Sequence, residues 1–370
     1  MSPYKIPFVR PIQHYERYKS EFDAAWMSCL ASGDLIARGQ LREFESRFAA
    51  FVGTRYAVGL SSGYHALALS LLAAGIGPGD EVITVAHTFV ATVSAIVHCG
   101  ATPVLVDVGP DFNMDPDRVE AAITKKTRAI LPVHLNGRVC DMARIMSLAE
   151  RHGLKVVEDA CQGLGARFRG KMAGSFGLTG CWSFYPFKAL GCFGDGGAVT
   201  TDDPDVARRI TLLRFNGEDR QTGELHGHGF TALLDNVQAA VLDVKLKYFP
   251  EWITHRRAMS ELYRECLQGV GDLSLPHFPG DDYFDAFQSY VIRTGRRDAL
   301  REFLRESGVE TLVSWRRPLW SHEALKLGEW KLPVTEALCR EVLSLPLSAE
   351  TTPAEVREVG ALIRKYFGSI

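Results

Sequence analysis

No CxxC pair occurs in this sequence, and none of its eight cysteines (29, 99, 140, 161, 181, 192, 266 and 339) stands at a zinc-binding spacing. That pattern argues against a disulfide framework or a metal site and leaves the thiols as reduced, mostly buried small hydrophobes. An excess of charge is missing too. The 42 basic and 44 acidic residues give a net charge of −2, so no basic field recommends nucleic acid or an anionic membrane as partner. No apolar run approaches the roughly 18 to 20 residues that a membrane helix needs. The first residues, MSPYKIPFVRPIQHY, set prolines and polar groups where a secretory signal would be apolar. With no low-complexity tract, linker or repeat either, the expectation is a cytoplasmic globular protein.

What is present has ordinary globular proportions, with 46% hydrophobic and 23% charged residues. A chain of 370 residues is long for one domain and comfortable for two that share a core. EFDAAWMSCLAS and LREFESRFAAFVG have helical periodicity, each with a glycine near its end to take the left-handed position. From about residue 80 the runs DEVITVA, TPVLVDV, TRAILPVHL and LKVVEDA alternate with the helical patterns TFVATVSAIVHCG, DPDRVEAAIT and DMARIMSLAERHG. Strand and helix in this rhythm predict an α/β fold, a mainly parallel sheet with helices on both faces and ligands at the strands' carboxyl ends. After Pro250 the character changes. EWITHRRAMSELYRECLQGVG reads as a helix, YFDAFQSYVIRT as the start of a strand, and RRDALREFLRESG and PAEVREVGALIRKYF as amphipathic helices. The expected division is a large α/β domain over 1–248 and a smaller α+β domain over 249–370.

Four segments carry chemistry, and each alone has a bland reading. LSSGYHALALSLLAAG places Ser62, Gly63, Tyr64 and His65 at a helix start, where N–H groups, a hydroxyl and the dipole suit a phosphate; an ordinary N-cap is commoner. VVEDACQG ends a strand in Glu158-Asp159, whose side chains alternate faces. A buried strand-end carboxylate needs a cationic or hydrogen-bonding partner, and a protonated pyridine nitrogen would serve, although a salt-bridged or capping acid is the plainer account. Lys188, in CWSFYPFKALGCFGDGGAVTT, lies among apolar residues that would lower its pKa and make the amine a nucleophile for carbonyls. A lysine snorkelling beside a turn is the usual alternative. Ser183 precedes it by five residues, and a lone serine says little. In combination, a lysine for an aldehyde, an acid for a ring nitrogen and donors for a phosphate suit one ligand, pyridoxal 5′-phosphate. The glycines after Lys188 would let the backbone turn tightly there without Cβ clashes.

These blocks, with SGDLIARGQLREFESRFAAFVGTRYAVGLSSG, LPVHLNGRVCDM, LLDNVQAAVLDVKLKY and LPVTEALCREVLSLPLS, resemble the pyridoxal-phosphate-dependent nucleotide-sugar aminotransferases of the DegT/DnrJ/EryC1/StrS family. The likeness covers nearly the whole chain. It implies a fold type I transferase, with a seven-stranded, mainly parallel sheet in the large domain. By position it implies Lys188 as the Schiff-base lysine, Asp159 facing the pyridine nitrogen and Gln162 near the ring hydroxyl. Phe89 matches the aromatic stacked on the ring; Ser183 and the backbone at Gly63, Tyr64 and His65 match the phosphate site. It implies a homodimer with shared sites, GHGFTALLDN reaching in from the partner subunit. Two departures stand out. The family usually has threonine at the position of Tyr64, and asparagine followed by a cationic or amide residue where Thr231 and Leu233 stand, which leaves the phosphate to Ser183, backbone N–H groups and the Tyr64 hydroxyl.

The reaction implied takes an amino group from L-glutamate, releases 2-oxoglutarate, leaves pyridoxamine 5′-phosphate, and aminates a nucleoside-diphosphate keto-sugar at C3 or C4. Lys188 would carry the proton between the donor's α-carbon and the cofactor. Related dehydratases have histidine at that position, so lysine favours transamination. SFYPFKALG and VKLKYFPEW look closer to members that aminate at C3. Trp315, Arg316 and Arg317, in SWRRPLW, are the expected sugar-nucleotide contacts, with Arg214 a further available cation; a surface basic pair is their plain alternative. Two other readings stay open: an aminotransferase for a free cyclitol or cyclic ketone, and a regulatory protein that keeps the cofactor site without turnover.

Overall fold

The β-branched runs become the strands of one twisted sheet, and the helical patterns between them pack on its two faces. The computed structural model describes residues 3–33, 35–278 and 280–368. Helices α1 (Pro11–Arg17), α2 (Lys19–Ser32) and α3 (Gly39–Val52) precede β1 (Tyr56–Leu60) and α4 (Gly63–Ala73). The alternating region follows: β2 (Glu81–Val85), α5 (Val90–His98), β3 (Thr102–Val106), α6 (Pro116–Ala122), β4 (Thr127–Leu131), α7 (Met142–His152) and β5 (Lys155–Asp159). The short hairpin β6 (Arg167–Phe168) and β7 (Lys171–Met172) leads to β8 (Thr179–Ser183), β9 (Gly197–Thr201) and α8 (Pro204–Leu213). The chain ends in α9 (Asn236–Leu267), β10 (Tyr283–Phe284), β11 (Tyr290–Arg293), α10 (Arg297–Glu306), α11 (Pro333–Glu341), β12 (Val342–Leu345) and α12 (Pro353–Gly368).

The seven-stranded sheet has the order β1-β9-β8-β5-β4-β2-β3. β3, β2, β4, β5 and β8 pair in parallel, while β9 runs antiparallel to both its neighbours. This is the mainly parallel α/β sheet expected, with seven strands. Its central strands are buried on both faces, which is why they read as continuous apolar runs. Helix ends follow local chemistry: α2, α3 and α7 stop at Gly33, Gly53 and Gly153, all with positive φ. Asp115, Asp141 and Asp203 cap α6, α7 and α8 through their side chains.

Helix α9 runs unbroken through the expected 248/249 division, with Pro250 in its interior. Phe249, Trp252 and Ile253 are buried on either side of the proline in the main core, whereas Met259, Tyr263 and Leu267 belong to a second core with β11, β12, α10 and α12. One helix therefore serves both cores, and continuous packing outweighs the single backbone bond that proline removes. Among the described residues no helix is long and apolar enough to cross a membrane.

Close backbone approach joins the strand ends. A Cβ on Gly197 would lie 2.4 Å from the carbonyl carbon and oxygen of Ser62 and 2.7 Å from the nitrogen of Gly63. Gly197→Ala is therefore expected to cost about 1–3 kcal/mol in urea unfolding. Gly39→Ala, whose Cβ meets nothing within 4 Å, should be neutral or stabilising by ~0.5 kcal/mol; equal effects would contradict this packing.

Candidate active site

The ends of β5 and β8 and the start of α4 bring polar groups together at one edge of the sheet. Asp159 is the last residue of β5 and only 5% exposed. Its Oδ2 accepts a hydrogen bond from Thr92 Oγ1 at 2.8 Å, and Thr92 in turn pairs with Thr88 at 2.8 Å. Its Oδ1 accepts from the Cys161 backbone N–H at 3.2 Å. A neutral hydroxyl and one amide hold the carboxylate without cancelling its charge, so it can still face a cation.

Glu158 points to the other face, yet it is as buried as Asp159, because helices cover both sides of the sheet. It accepts hydrogen bonds from Gly174, Phe176 and Gly177 N–H at 2.7–2.8 Å and pairs with His134 Nε2 at 2.8 Å. His134 Nδ1 accepts from Cys140 N–H, which assigns the imidazole proton to Nε2, donating to Glu158. Four donors make Glu158 a structural staple. Asp159 is the acid left for a ligand.

The helix start lies beside it. Ser62 caps α4 by accepting from His65 N–H at 3.2 Å, and His65 Nδ1 lies 2.8 Å from Ser61 Oγ. A Cβ on Gly63 would sit 2.7 Å from Ser183 Cβ and 2.9 Å from Cys161 Sγ. The first turn of α4 thus touches the ends of both β5 and β8, and any larger residue at 63 would push them apart. Ser183 closes β8, half-buried. The Tyr64 hydroxyl, expected at the phosphate seat, pairs with His98 Nδ1 at 2.6 Å. Phe89, the N-cap of α5, is 61% exposed, an aromatic face left open at that helix start. Gln162 Oε1 accepts from Asn136 N–H at 3.0 Å.

Lys188 projects from the loop joining β8 to β9. Burial lowers its pKa, opposed by Cys161 and the Asp159 carboxylate, whose fields act on it. The same burial pushes the Cys161 thiol well up, keeping it neutral. Among the described residues Lys188 Nζ has no hydrogen-bond or ion-pair partner. The loop is anchored elsewhere: Phe193 N–H donates to Gln238 Oε1 at 2.9 Å, and buried Lys245 donates to Gly191 O at 2.6 Å, its own pKa pushed down to about 8 by burial. The glycines act through close approach: a Cβ on Gly191 would meet Tyr185 O at 2.6 Å.

The expected substrate residues are less uniform. Trp315 packs edge-on against His87, with centroids 4.9 Å apart. His87 is buried, its pKa pushed down to about 3 by desolvation. Arg316 is exposed, and Arg317 is exposed and paired with His322. Arg214 is not a free cation: it is buried against Glu45 and the Gly59 carbonyl. Thr231 Oγ1 bonds Asn216 Oδ1, and Leu233 bridges to Leu60. Thr92, Asn136, Gln238 and Lys245 escaped sequence reasoning. Thr92 alone had a signal, three residues after Phe89 on the same helix.

An unpartnered amine of lowered pKa, a buried carboxylate, an open aromatic face and a helix start with hydroxyls fit pyridoxal 5′-phosphate, and the fold and site define a pyridoxal-phosphate-dependent transferase. Residues 16–364 match the model of the DegT/DnrJ/EryC1/StrS aminotransferase family, and the chain belongs to that family. It is an aminotransferase. It is 41% identical to the dTDP-3-amino-3,4,6-trideoxy-alpha-D-glucose transaminase of Streptomyces venezuelae, over 98% of this chain and 96% of that protein. A Geobacillus stearothermophilus relative, named as a pleiotropic regulatory protein, is 38% identical over 98% of each chain. The crystal structure of S. venezuelae DesV in complex with a ketimine intermediate superposes with a TM-score of 0.96, at 41% identity and full coverage of both chains.

A lowered pKa enlarges the neutral fraction of an amine below the ordinary lysine range, and the advantage disappears above roughly pH 10.4. In cofactor-free protein at pH 7, acetic anhydride should therefore acylate Lys188 ahead of exposed lysines such as Lys125, as read by peptide mass mapping. A Lys188 that reacts no earlier than Lys125 would contradict its desolvation.

Proposed function

We propose that this chain transfers the amino group of L-glutamate to the keto carbon of a nucleoside-diphosphate keto-sugar, giving an amino sugar and 2-oxoglutarate. The observation that carries the reading is the convergence of Lys188, Asp159 and the α4 start at one sheet edge in a chain of this family. Of the two positions considered, C3 is favoured by the 3-amino sugar in the name of the S. venezuelae relative.

When bound, the cofactor supplies an electron sink for the carbanion left by proton removal. The protein's residues do the rest. Asp159, oriented by Thr92 and the Cys161 amide, would hold the cofactor's ring nitrogen. Ser62, Ser183 and the first N–H groups of α4 would hold the phosphate, Phe89 would cover the ring face, and Gln162 would serve the ring hydroxyl. Lys188, its pKa lowered by burial, would anchor the cofactor at rest. Once free, its Nζ would take the proton from the donor's α-carbon and return it to the cofactor carbon on the other side of the transferred nitrogen, as base and then acid. Trp315, Arg316 and Arg317 contact the sugar nucleotide.

The active unit is a cytoplasmic homodimer. Leu35, Ile36, Leu225 and Phe230 are large apolar side chains left exposed on one chain, and Leu35 and Ile36 run beside Asp235 and Asn236 through backbone bonds. A second copy would cover such a surface.

A panel of 3-keto and 4-keto nucleotide sugars and a free cyclic ketone, each with glutamate and scored for amino product by mass, tests the assignment. Amination of a nucleotide sugar is expected. Amination of the free ketone alone would replace the substrate class, and no amination despite bound cofactor would favour a regulatory role. On the active substrate, Asp159→Asn should lower kcat by about 10²–10³-fold, the scale of removing one electrostatic group from an active site, in a protein that remains folded.

A further inference from the structure

The peptide on each side of Lys188 is held by a single side chain. Gln288, in the loop between β10 and β11, accepts from Ala189 N–H through Oε1 at 2.8 Å and donates to Phe187 O through Nε2 at 3.4 Å. The carboxamide thus pairs with the residues before and after the lysine, much as a neighbouring strand would. Gln238 and Lys245 reach only Phe193 and Gly191, farther along the loop.

The loop that presents Gln288 is itself braced. Phe287 adopts φ +51°, in the left-handed region that non-glycine residues rarely occupy. Arg256, buried in α9, donates to the carbonyls of Phe287, Gln288 and Leu347 at 3.1–3.3 Å. On the other side Ala286 N–H donates to Gly137 O at 2.8 Å and Ser289 N–H to Asn136 O at 3.5 Å. A Cβ on Gly137 would lie 2.5 Å from Gln288 N, so the two loops are in backbone contact. Asn136 in turn donates to Gln162. One braced loop therefore connects the residue assigned to the ring hydroxyl with the peptide that carries the amine.

We propose that Gln288 is a positioning residue: its carboxamide brackets Lys188 and sets the direction of the amine relative to Asp159 and Gln162. The role rests on Lys188 being the cofactor-bearing amine. Gln288 touches neither substrate nor cofactor in this account; it acts through the backbone of 187 and 189.

The test compares Q288L, which loses both bonds, with Q288E, which keeps an acceptor for Ala189 and adds a negative charge beside the lysine. Amide hydrogen exchange in cofactor-free protein reads the bracket directly. In Q288L exchange at Ala189 should rise about tenfold or more. In the loaded enzyme kcat should fall about tenfold or more while both KM values stay within about twofold, the pattern of a misdirected reacting group. Q288E should keep Ala189 protected, recover part of kcat and raise the pH midpoint of the cofactor's visible band, because a nearby negative charge favours the protonated form. If Q288L does not fold, the Q288E midpoint and Ala189 protection carry the test alone. Unchanged exchange and kcat in Q288L, an unshifted midpoint in Q288E, or a loss confined to KM would overturn the proposal. Wild-type protein without a lysine-linked band would remove the Lys188 assignment and the bracket's purpose with it.

Discussion

A carboxylate buried at the end of a central strand has to be given donors, and the way Asp159 receives them organises the whole site. β5 lies between β4 and β8, so its carboxyl end is walled by protein on both sides. Leaving an ionised group there without partners would cost several kcal/mol. One donor comes from Thr92 in α5 and the other from the Cys161 amide just beyond the strand. Both are neutral, so the charge is retained for a cationic ligand. The neighbouring Glu158, saturated by four donors, shows the alternative: an acid of equal burial whose charge is spent on holding turns together.

The rest of the pocket follows from how closely backbones approach this acid. Gly63 and Gly197 let the α4 start, the β8 end and the β9 start touch with no side chain between them. That contact brings helix N–H groups, Ser62 and Ser183 to one side of Asp159. The β8–β9 loop then returns over the same edge and carries Lys188 within electrostatic reach of the carboxylate. Burial and the Asp159 field act on the amine in opposite directions, with burial the larger. An amine whose pKa is lowered by burial, set near a carboxylate, is the arrangement that acid–base work at an α-carbon requires.

Much of this was legible in the sequence. The alternation from residue 80 onward gave the parallel strands and their helices, since the apolar period is local. β9 was harder, because GAVTT follows a glycine cluster that reads as turn, and its antiparallel pairing with β1 joins residues more than a hundred positions apart. The sequence shows a helix only from Glu251, whereas α9 begins at Asn236, and nothing local reveals the two cores that hold its halves. Within the site, Lys188 and Asp159 stood out by apolar context and by family pattern. Gln288 did not, for its bond to Ala189 spans 99 positions. Arg214 was misread for the same reason: its partner Glu45 is 169 residues away. Local chemistry is readable; partners set by topology are not.

The central claim is that the amine at 188 carries a vitamin B6 aldehyde beside the acid at 159. Sodium borohydride reduction of the purified, cofactor-loaded protein, followed by proteolysis and mass mapping, tests it most directly. The account predicts one pyridoxyl adduct, on the peptide holding Lys188. An adduct on another lysine, or none in protein that still retains the cofactor, would contradict it.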